Sequence, residues 1–267
     1  GGRMSSAVHM DGASVGWDYP VVDGITIDVP AGSSLALIGT NGSGKSTILR
    51  TLAGLLPPIG GRVSVLDGPP GANPARVAYV GQFHPQGFVL PLCVRDVVAM
   101  GRYPRLGLLG RPRRDDMVAV DHALGELGIK HLADRALREL SGGQRQRVYV
   151  AQAIAQQADV ILLDEPASGL DPSARTLLRA AIACEVDRGA AVLFATHDLG
   201  DARTSDQVMV LAGRVVSAGP PATALSRDAI VAGFGLVLEE FSDGGPIALD
   251  PGHAHGHHDD HDHGVAT

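Results

Sequence analysis

Nine consecutive residues carry the strongest chemical signal in this chain: Gly39, Thr40, Asn41, Gly42, Ser43, Gly44, Lys45, Ser46 and Thr47. The first eight fit the spacing G-x-x-x-x-G-K-[ST] of a phosphate-binding loop. Glycine at 39, 42 and 44 lets a backbone curl around phosphate oxygens with no Cβ in the way. Lys45 can then reach β- and γ-phosphates, and the Ser46 hydroxyl can ligate Mg²⁺. A second set of groups complements the first. Asp164 and Glu165 follow the apolar run Val160-Ile161-Leu162-Leu163. One acid there can hold Mg²⁺, directly or through water, and the next can polarise an attacking water. His197 closes another apolar run, on the same expected edge as Asp164. A lone histidine is more often structural, but that placement favours function. Gln82 lies just past a short strand and is an ordinary solvated strand end unless a ligand sits beside it.

These side chains need particular elements to hold them. Ser34 to Ile38 reads as a strand and Thr47 to Leu52 as the start of a helix, so backbone N–H groups and a positive helix end face the anion. Val160–Leu163 and Ala191-Val192-Leu193-Phe194-Ala195 are continuous apolar runs, as expected of parallel strands buried on both faces. Ala13–Trp17 and Ile25–Val29 read as strands ahead of the loop, and Val63–Leu66 and Val77–Val80 as strands after it. From Phe83 to Gln157 helical spacing dominates, with Val94–Met100 and Met117–Leu127 as its clearest segments. Leu140–Val148, LSGGQRQRV, opens a further helix. Ser141 is its natural N-cap, and Gly142, Gly143 and Gln144 leave backbone N–H groups at the positive end, a second anion site. Trp17 is a π face that suits a nucleobase, or equally a half-buried strand-end aromatic; Tyr19 is a second candidate for the same role.

Composition narrows the function classes. A chain of 267 residues with 45% hydrophobic content can bury a large core. No apolar run approaches the ~20 residues that span a bilayer, and no signal peptide is evident, so a soluble, cytoplasmic protein is expected. Cys93 and Cys184 lack metal-ligand spacing and suggest a reducing compartment. The net charge of −7 argues against a nucleic-acid partner. Asp250, Asp259, Asp260 and Asp262 contribute four of those negative charges, leaving a body near balance.

The order of motifs identifies the chain as a member of a known family. GTNGSGKS, then Tyr79-Val80-Gly81-Gln82, LSGGQ, VILLDEP, SGLDP and ATHD resembles the series of the ATP-binding-cassette (ABC) ATPases, from about Ala13 to Gly235. The resemblance implies an α/β fold: a P-loop NTPase (RecA-like) core with an antiparallel β subdomain and an inserted α-helical signature subdomain. It places the core at 4–82 and 158–240, the helical subdomain at 83–157, and a flexible tail at 241–267. It further implies ATP and Mg²⁺ as ligands, with Ser46, Gln82 and Asp164 around the metal. Glu165 would be the general base, His197 the γ-phosphate sensor and Gln82 the lid-loop residue. Trp17 would stack on adenine. Ser141, Gly142, Gly143 and Gln144 would meet ATP held by a second chain, with Asp171 at the boundary. Two chains would therefore close head to tail around two ATPs. No essential position is substituted, which implies an active ATPase.

The resemblance also points to a transporter class. Phe88 to Asp116 and Ala212 to Leu225 look like the manganese/zinc importer ATPases, although siderophore and cobalamin importer ATPases share a Gly-Arg-Tyr-Pro stretch. A soluble cassette ATPase without membrane partners usually carries paired cassettes, coiled coils or basic arms, which are not seen here. The expected partners are thus a second ATPase subunit, transmembrane permease subunits and, through them, an extracytoplasmic metal-binding protein. The expected location is the cytoplasmic face of the membrane. Cys93 stands where serine or threonine would cap the next helix, so a looser helix start is expected. His253, His255, His257, His258, His261 and His263, interleaved with aspartates, have the chemistry of a flexible Zn²⁺ chelator, or are a solvated tail or an engineered tag.

Overall fold

In this computed structural model, residues 6–82, 92–107 and 110–235 are described. The chain opens with β1 (Ser6–Gly16), β2 (Pro20–Pro30), β3 (Ser34–Gly39), α1 (Lys45–Leu52), β4 (Gly60–Val65) and β5 (Val77–Val80). The helices α2 (Val94–Ala99), α3 (Tyr103–Leu106), α4 (Arg114–Glu126) and α5 (Gly142–Ala155) come next. The order then alternates: β6 (Val160–Asp164), α6 (Pro172–Asp187), β7 (Ala191–Thr196), α7 (Leu199–Ala202), β8 (Gln207–Leu211) and β9 (Val215–Gly219). Two helices, α8 (Pro221–Ala224) and α9 (Arg227–Phe234), close the described chain.

Six strands form the central sheet in the order β5-β6-β7-β3-β8-β9, with β5 to β8 parallel and β9 antiparallel to β8. The apolar runs explain this. Every residue of β3, β6 and β7 is buried, and only a strand covered on both faces can use such a run. Alternate side chains serve opposite layers. Leu35 and Leu37 join one core with Ile48, Leu49 and the antiparallel strands; Ala36 and Ile38 join the other with Phe194 and Val210. The antiparallel sheet, β2-β1-β4, covers the first layer. Its strands are longer than the sequence suggests. Several register shifts interrupt β1, so its in–out alternation does not run cleanly along the strand.

A third core lies among the helices, where Val94, Val98, Leu124, Leu127, Val148 and Ile154 pack together. Arg102 pins this region to the C-terminal end of α5. Its Nε donates to Asp116 Oδ1 at 2.8 Å and its Nη1 to the Ala155 carbonyl at 2.7 Å, all largely out of solvent. The start of α2 is firmer than a thiol cap suggests. Asp96, three residues into the turn, accepts from the Cys93 Sγ–H at 2.9 Å and from the Cys93 backbone N–H at 3.4 Å. The carboxylate supplies the closure that a weak thiol cannot. Both cysteines are free.

Candidate functional site

Parallel strands bring their C-terminal ends to one edge of the sheet, where ligands bind in open α/β folds. Gly39 ends β3, Asp164 ends β6, Thr196 ends β7, and Gln82 follows β5. The loop after β3 then curls tightly. Gly44 has φ 103°, and a Cβ there would lie 2.2 Å from Val22 Cγ2. A Cβ on Gly39 would lie 2.1 Å from the Leu211 carbonyl oxygen. The glycines therefore serve close packing of the loop on β2 and β8 as well as access for a phosphate.

Lys45 is buried, and its Nζ donates to the Gly39 and Thr40 carbonyls at 2.8 and 2.9 Å. The ammonium is thus held in the loop it would use to reach an anion. Burial pulls its pKa below the ordinary lysine range, while the charges of Glu165 and Asp164 pull it back up. Ser46 Oγ donates to Asp164 Oδ1 at 3.0 Å. Asp164 is 1% exposed, and its Oδ2 has no hydrogen-bond partner. Burial pushes this carboxyl above the usual range, against the Ser46 hydrogen bond, and the Glu165 charge adds to the upward push. A buried carboxylate oxygen without a donor costs about 1–3 kcal/mol. A cation arriving beside Ser46 and Asp164 would remove that cost, and hard oxygen donors suit Mg²⁺. Ser43 Oγ is also buried without a partner in the same loop, and Thr47 follows Ser46 in the first turn of α1. Thr40, Asn41 and Gly42 form the exposed lip of the loop.

Glu165 adopts the left-handed region at φ 52°, which for a non-glycine residue costs of order 1 kcal/mol. Its backbone N–H donates to the Ala195 carbonyl at 3.2 Å, the last ladder bond between β6 and β7, so the positive φ turns the chain out of the sheet just past it. Gln82 Nε2 donates to Glu165 Oε2 at 3.4 Å, so the glutamine expected to need a ligand beside it is next to the second acid. His197 is exposed and shares a crevice with Glu165, Ser168, Thr196 and Asp198.

The LSGGQ segment lies beside a separate cleft of about 630 Å³, lined by Gln82, Ser141, Gly143, Gln144, Glu165 and Asp171 among others. Ser141 caps α5 as expected: its Oγ accepts from the Gln144 N–H at 3.3 Å, and Gln144 Oε1 accepts from the Ser141 N–H at 2.9 Å. That hydroxyl keeps its own proton to donate. A Cβ on Gly143 would meet the Gly169 carbonyl at 2.9 Å, whereas Gly142 faces open space. Asp171 caps α6 through the Ala174 N–H at 2.9 Å and accepts from Ser173 Oγ at 2.6 Å. Those hydrogen bonds, Ser173 first, hold its carboxyl below the usual range. No residue of the phosphate loop is among those lining this cleft. Another cavity, about 450 Å³ between α6 and β7, is floored by Leu178, Ile182, Val186 and Phe194 and is mainly apolar.

Trp17 and Tyr19 stand at the tip of the β1–β2 turn, 65% and 82% exposed. Neither is a half-buried strand-end aromatic. Val21 and Val22, just beyond them, pack on Gly44, so the turn borders the phosphate loop. The six tail histidines, His253 to His263, lie outside the described residues. Among the described residues no group of three or more histidine, cysteine or acidic side chains could hold a metal, and no helix is long and apolar enough to cross a membrane. Sequence reading missed Asp198 and Arg175, which join the loops after β7 and β6. The available signal was an aspartate between a strand and a helix, an N-cap pattern.

Comparison with known proteins adds to this geometry. Residues 22–168 match the family model described as ABC transporter. The chain is 36% identical over 215 residues to the manganese transport system ATP-binding protein of Bacillus subtilis, covering 80% of this chain and 86% of that one. It is 36% identical over 231 residues to the zinc transport system ATP-binding protein of Treponema pallidum, covering 86% and 87%. It is 37% identical over 240 residues to the ferric enterobactin transport ATP-binding protein of Escherichia coli K12, covering 87% and 88%. Among solved structures, a chain of an inward-facing ABC transporter assigned to the metal-chelate type superposes with a TM-score of 0.74 at 29% identity, covering 90% and 94%.

Proposed function

This chain belongs to the ABC transporter family, and on that premise we propose that it is the Mg²⁺-dependent, ATP-hydrolysing subunit that energises import of zinc or manganese through separate membrane subunits. The observation that carries the ATPase reading is the Ser46–Asp164 hydrogen bond beside the buried, unpartnered Asp164 Oδ2. Ser46 and Asp164 would hold Mg²⁺, with Gln82 within reach of the same edge. When bound, the ion neutralises charge building between the β- and γ-phosphates.

The protein's own groups do the rest by positioning. Lys45 and the loop amides orient the triphosphate, while Trp17 or Tyr19 covers the base. Gln82 holds water against Glu165, which takes its proton as the general base. His197 supports the γ-phosphate from the end of β7. Ser141, Gly142, Gly143 and Gln144 are turned to a cleft that the phosphate loop of the same chain does not line. They serve the ATP of a second chain, with Asp171 at the boundary, so the working unit is a head-to-tail dimer on the cytoplasmic face of the membrane.

The metal reading is supported by the relatives named for manganese and zinc transport. The relative named for ferric enterobactin, at similar identity, supports a second reading, import of an iron–siderophore chelate. Reconstitution with the cognate membrane subunits and binding protein separates them. ATP-driven uptake of Zn²⁺ or Mn²⁺, with ATPase stimulation, is expected; stimulation only by a ferric siderophore would move the chain to the second reading. The six tail histidines act as a Zn²⁺ chelator outside the ATP site.

A further inference from the structure

Two loops leave the ends of β6 and β7, and one side chain ties them together. Arg175 stands in the first turn of α6. Its Nε donates to the Leu170 carbonyl at 3.3 Å and its Nη1 to Asp198 Oδ2 at 3.1 Å. Leu170 belongs to the Ser168–Pro172 loop and precedes Asp171; Asp198 follows His197 directly. Asp198 is itself fixed from several sides. Its Oδ1 accepts from the Gly200 N–H at 2.6 Å and the Asp201 N–H at 3.2 Å, and its own N–H donates to Thr196 Oγ1 at 3.1 Å. Arg175 also lines the crevice that holds Glu165 and His197. One helical turn further on, Arg179 pairs with Asp201 at 2.6 Å. That second pair joins α6 to α7 in the same way but does not reach Leu170.

A guanidinium presents its donors in a rigid plane, so the two hydrogen bonds fix the spacing between the loops. A lysine keeps the charge opposite Asp198 but concentrates its donors on one nitrogen, so it does not hold the two acceptors at a fixed spacing. We propose that Arg175 is a positioning residue for ATP hydrolysis: it locks the Ser168–Pro172 loop to the His197 loop so that both enter the composite site in one arrangement. The inference rests on the ATPase reading above.

The test is steady-state ATP hydrolysis by the full chain in complex with its membrane subunits, alongside thermal unfolding. Arg175→Ala is expected to lower kcat about tenfold while KM for ATP stays within about twofold, because the phosphate loop is untouched. Arg175→Lys should recover the melting temperature but not kcat. Arg175→Ala with Asp198→Asn should be no slower than Arg175→Ala alone, since both break one link. Arg179→Ala should lower the melting temperature and leave kcat within about twofold. The proposal is overturned if Arg175→Ala keeps its kcat, if Arg175→Lys restores it fully, if the double variant shows an additive loss, or if Arg179→Ala loses as much. Should Arg175→Ala not fold, the split between kcat and melting temperature in Arg175→Lys decides. A wild-type complex that hydrolyses no ATP overturns the ATPase reading and this inference together; an active wild type with an unaffected Arg175→Ala overturns only the inference.

Discussion

Replacing Asp164 by asparagine should stabilise the nucleotide-free protein and weaken the gain in stability from Mg-ATP. Asp164 is 1% exposed, spends Oδ1 on Ser46 and leaves Oδ2 without a donor. Burial outweighs the help from Ser46, Arg50 and Lys45, so the folded carboxyl holds its proton more tightly than an unfolded one. The sign follows. As pH rises from the ordinary carboxylate value through the raised folded value, this group progressively costs stability, and the full cost is present above the folded value. An unsatisfied buried acceptor costs about 1–3 kcal/mol. Asparagine keeps the acceptor for Ser46 but adds an N–H₂ that needs a partner, so the gain belongs at the low end, about 1 kcal/mol. For a chain of this size that is an increase of about 2–4 °C in melting temperature. Saturating Mg-ATP at a hundredfold its Kd should add about 2.7 kcal/mol to the wild type and less to the variant. Differential scanning fluorimetry at pH 7.5 and 5, with and without Mg-ATP, reads both effects. The nucleotide-free difference should shrink at the lower pH. An Asp164→Asn protein that melts several degrees lower without nucleotide would refute the idea that this carboxylate is buried against its own stability.

Glu165→Gln should leave ATP binding intact, lower kcat by about 10²–10⁴-fold, and shift size-exclusion elution in Mg-ATP from monomer to dimer. Arg102→Met should cost about 3–5 kcal/mol in urea unfolding, because Asp116 would keep a buried charge without its partner. The Arg113 N–H, then Arg102, hold the Asp116 carboxyl below the usual range. Its stabilisation is therefore present above the ordinary carboxylate pKa and is lost as pH falls through the folded value, so Asp116→Asn should flatten the acid limb of stability against pH. Deleting residues 241–267 should leave kcat for ATP unchanged and abolish most Zn²⁺ binding in equilibrium dialysis.

Much of the core and the ATP edge was legible because local pattern decides them. The continuous apolar runs of β3, β6 and β7 suit strands covered on both faces, and Ser141 with Gln144 spells out a helix start three residues apart. Other features depend on tertiary contact and leave no local trace. The length of β1 was obscured by its register shifts, which break the alternation. The left-handed turn at Glu165 comes where its N–H makes the last ladder bond to Ala195 on the neighbouring strand, a position no local pattern marks. The orphaned oxygen of Asp164 depends on how deeply the sheet buries it. Arg175 and Asp198 lie 23 residues apart and meet because α6 and α7 both lie against β7.

If each ATP site is built from two chains, as proposed, two separately dead variants should complement each other. A chain with Lys45→Ala loses its phosphate loop, and one with Ser141→Arg loses its LSGGQ contact, so neither homodimer should occlude ATP. In a mixed dimer one site carries both lesions and the other carries neither. Mixing the two dead chains should restore one occluded ATP per pair. If the mixture stays as inactive as its components, the two-chain site is contradicted, and the phosphate loop and LSGGQ must act within a single chain.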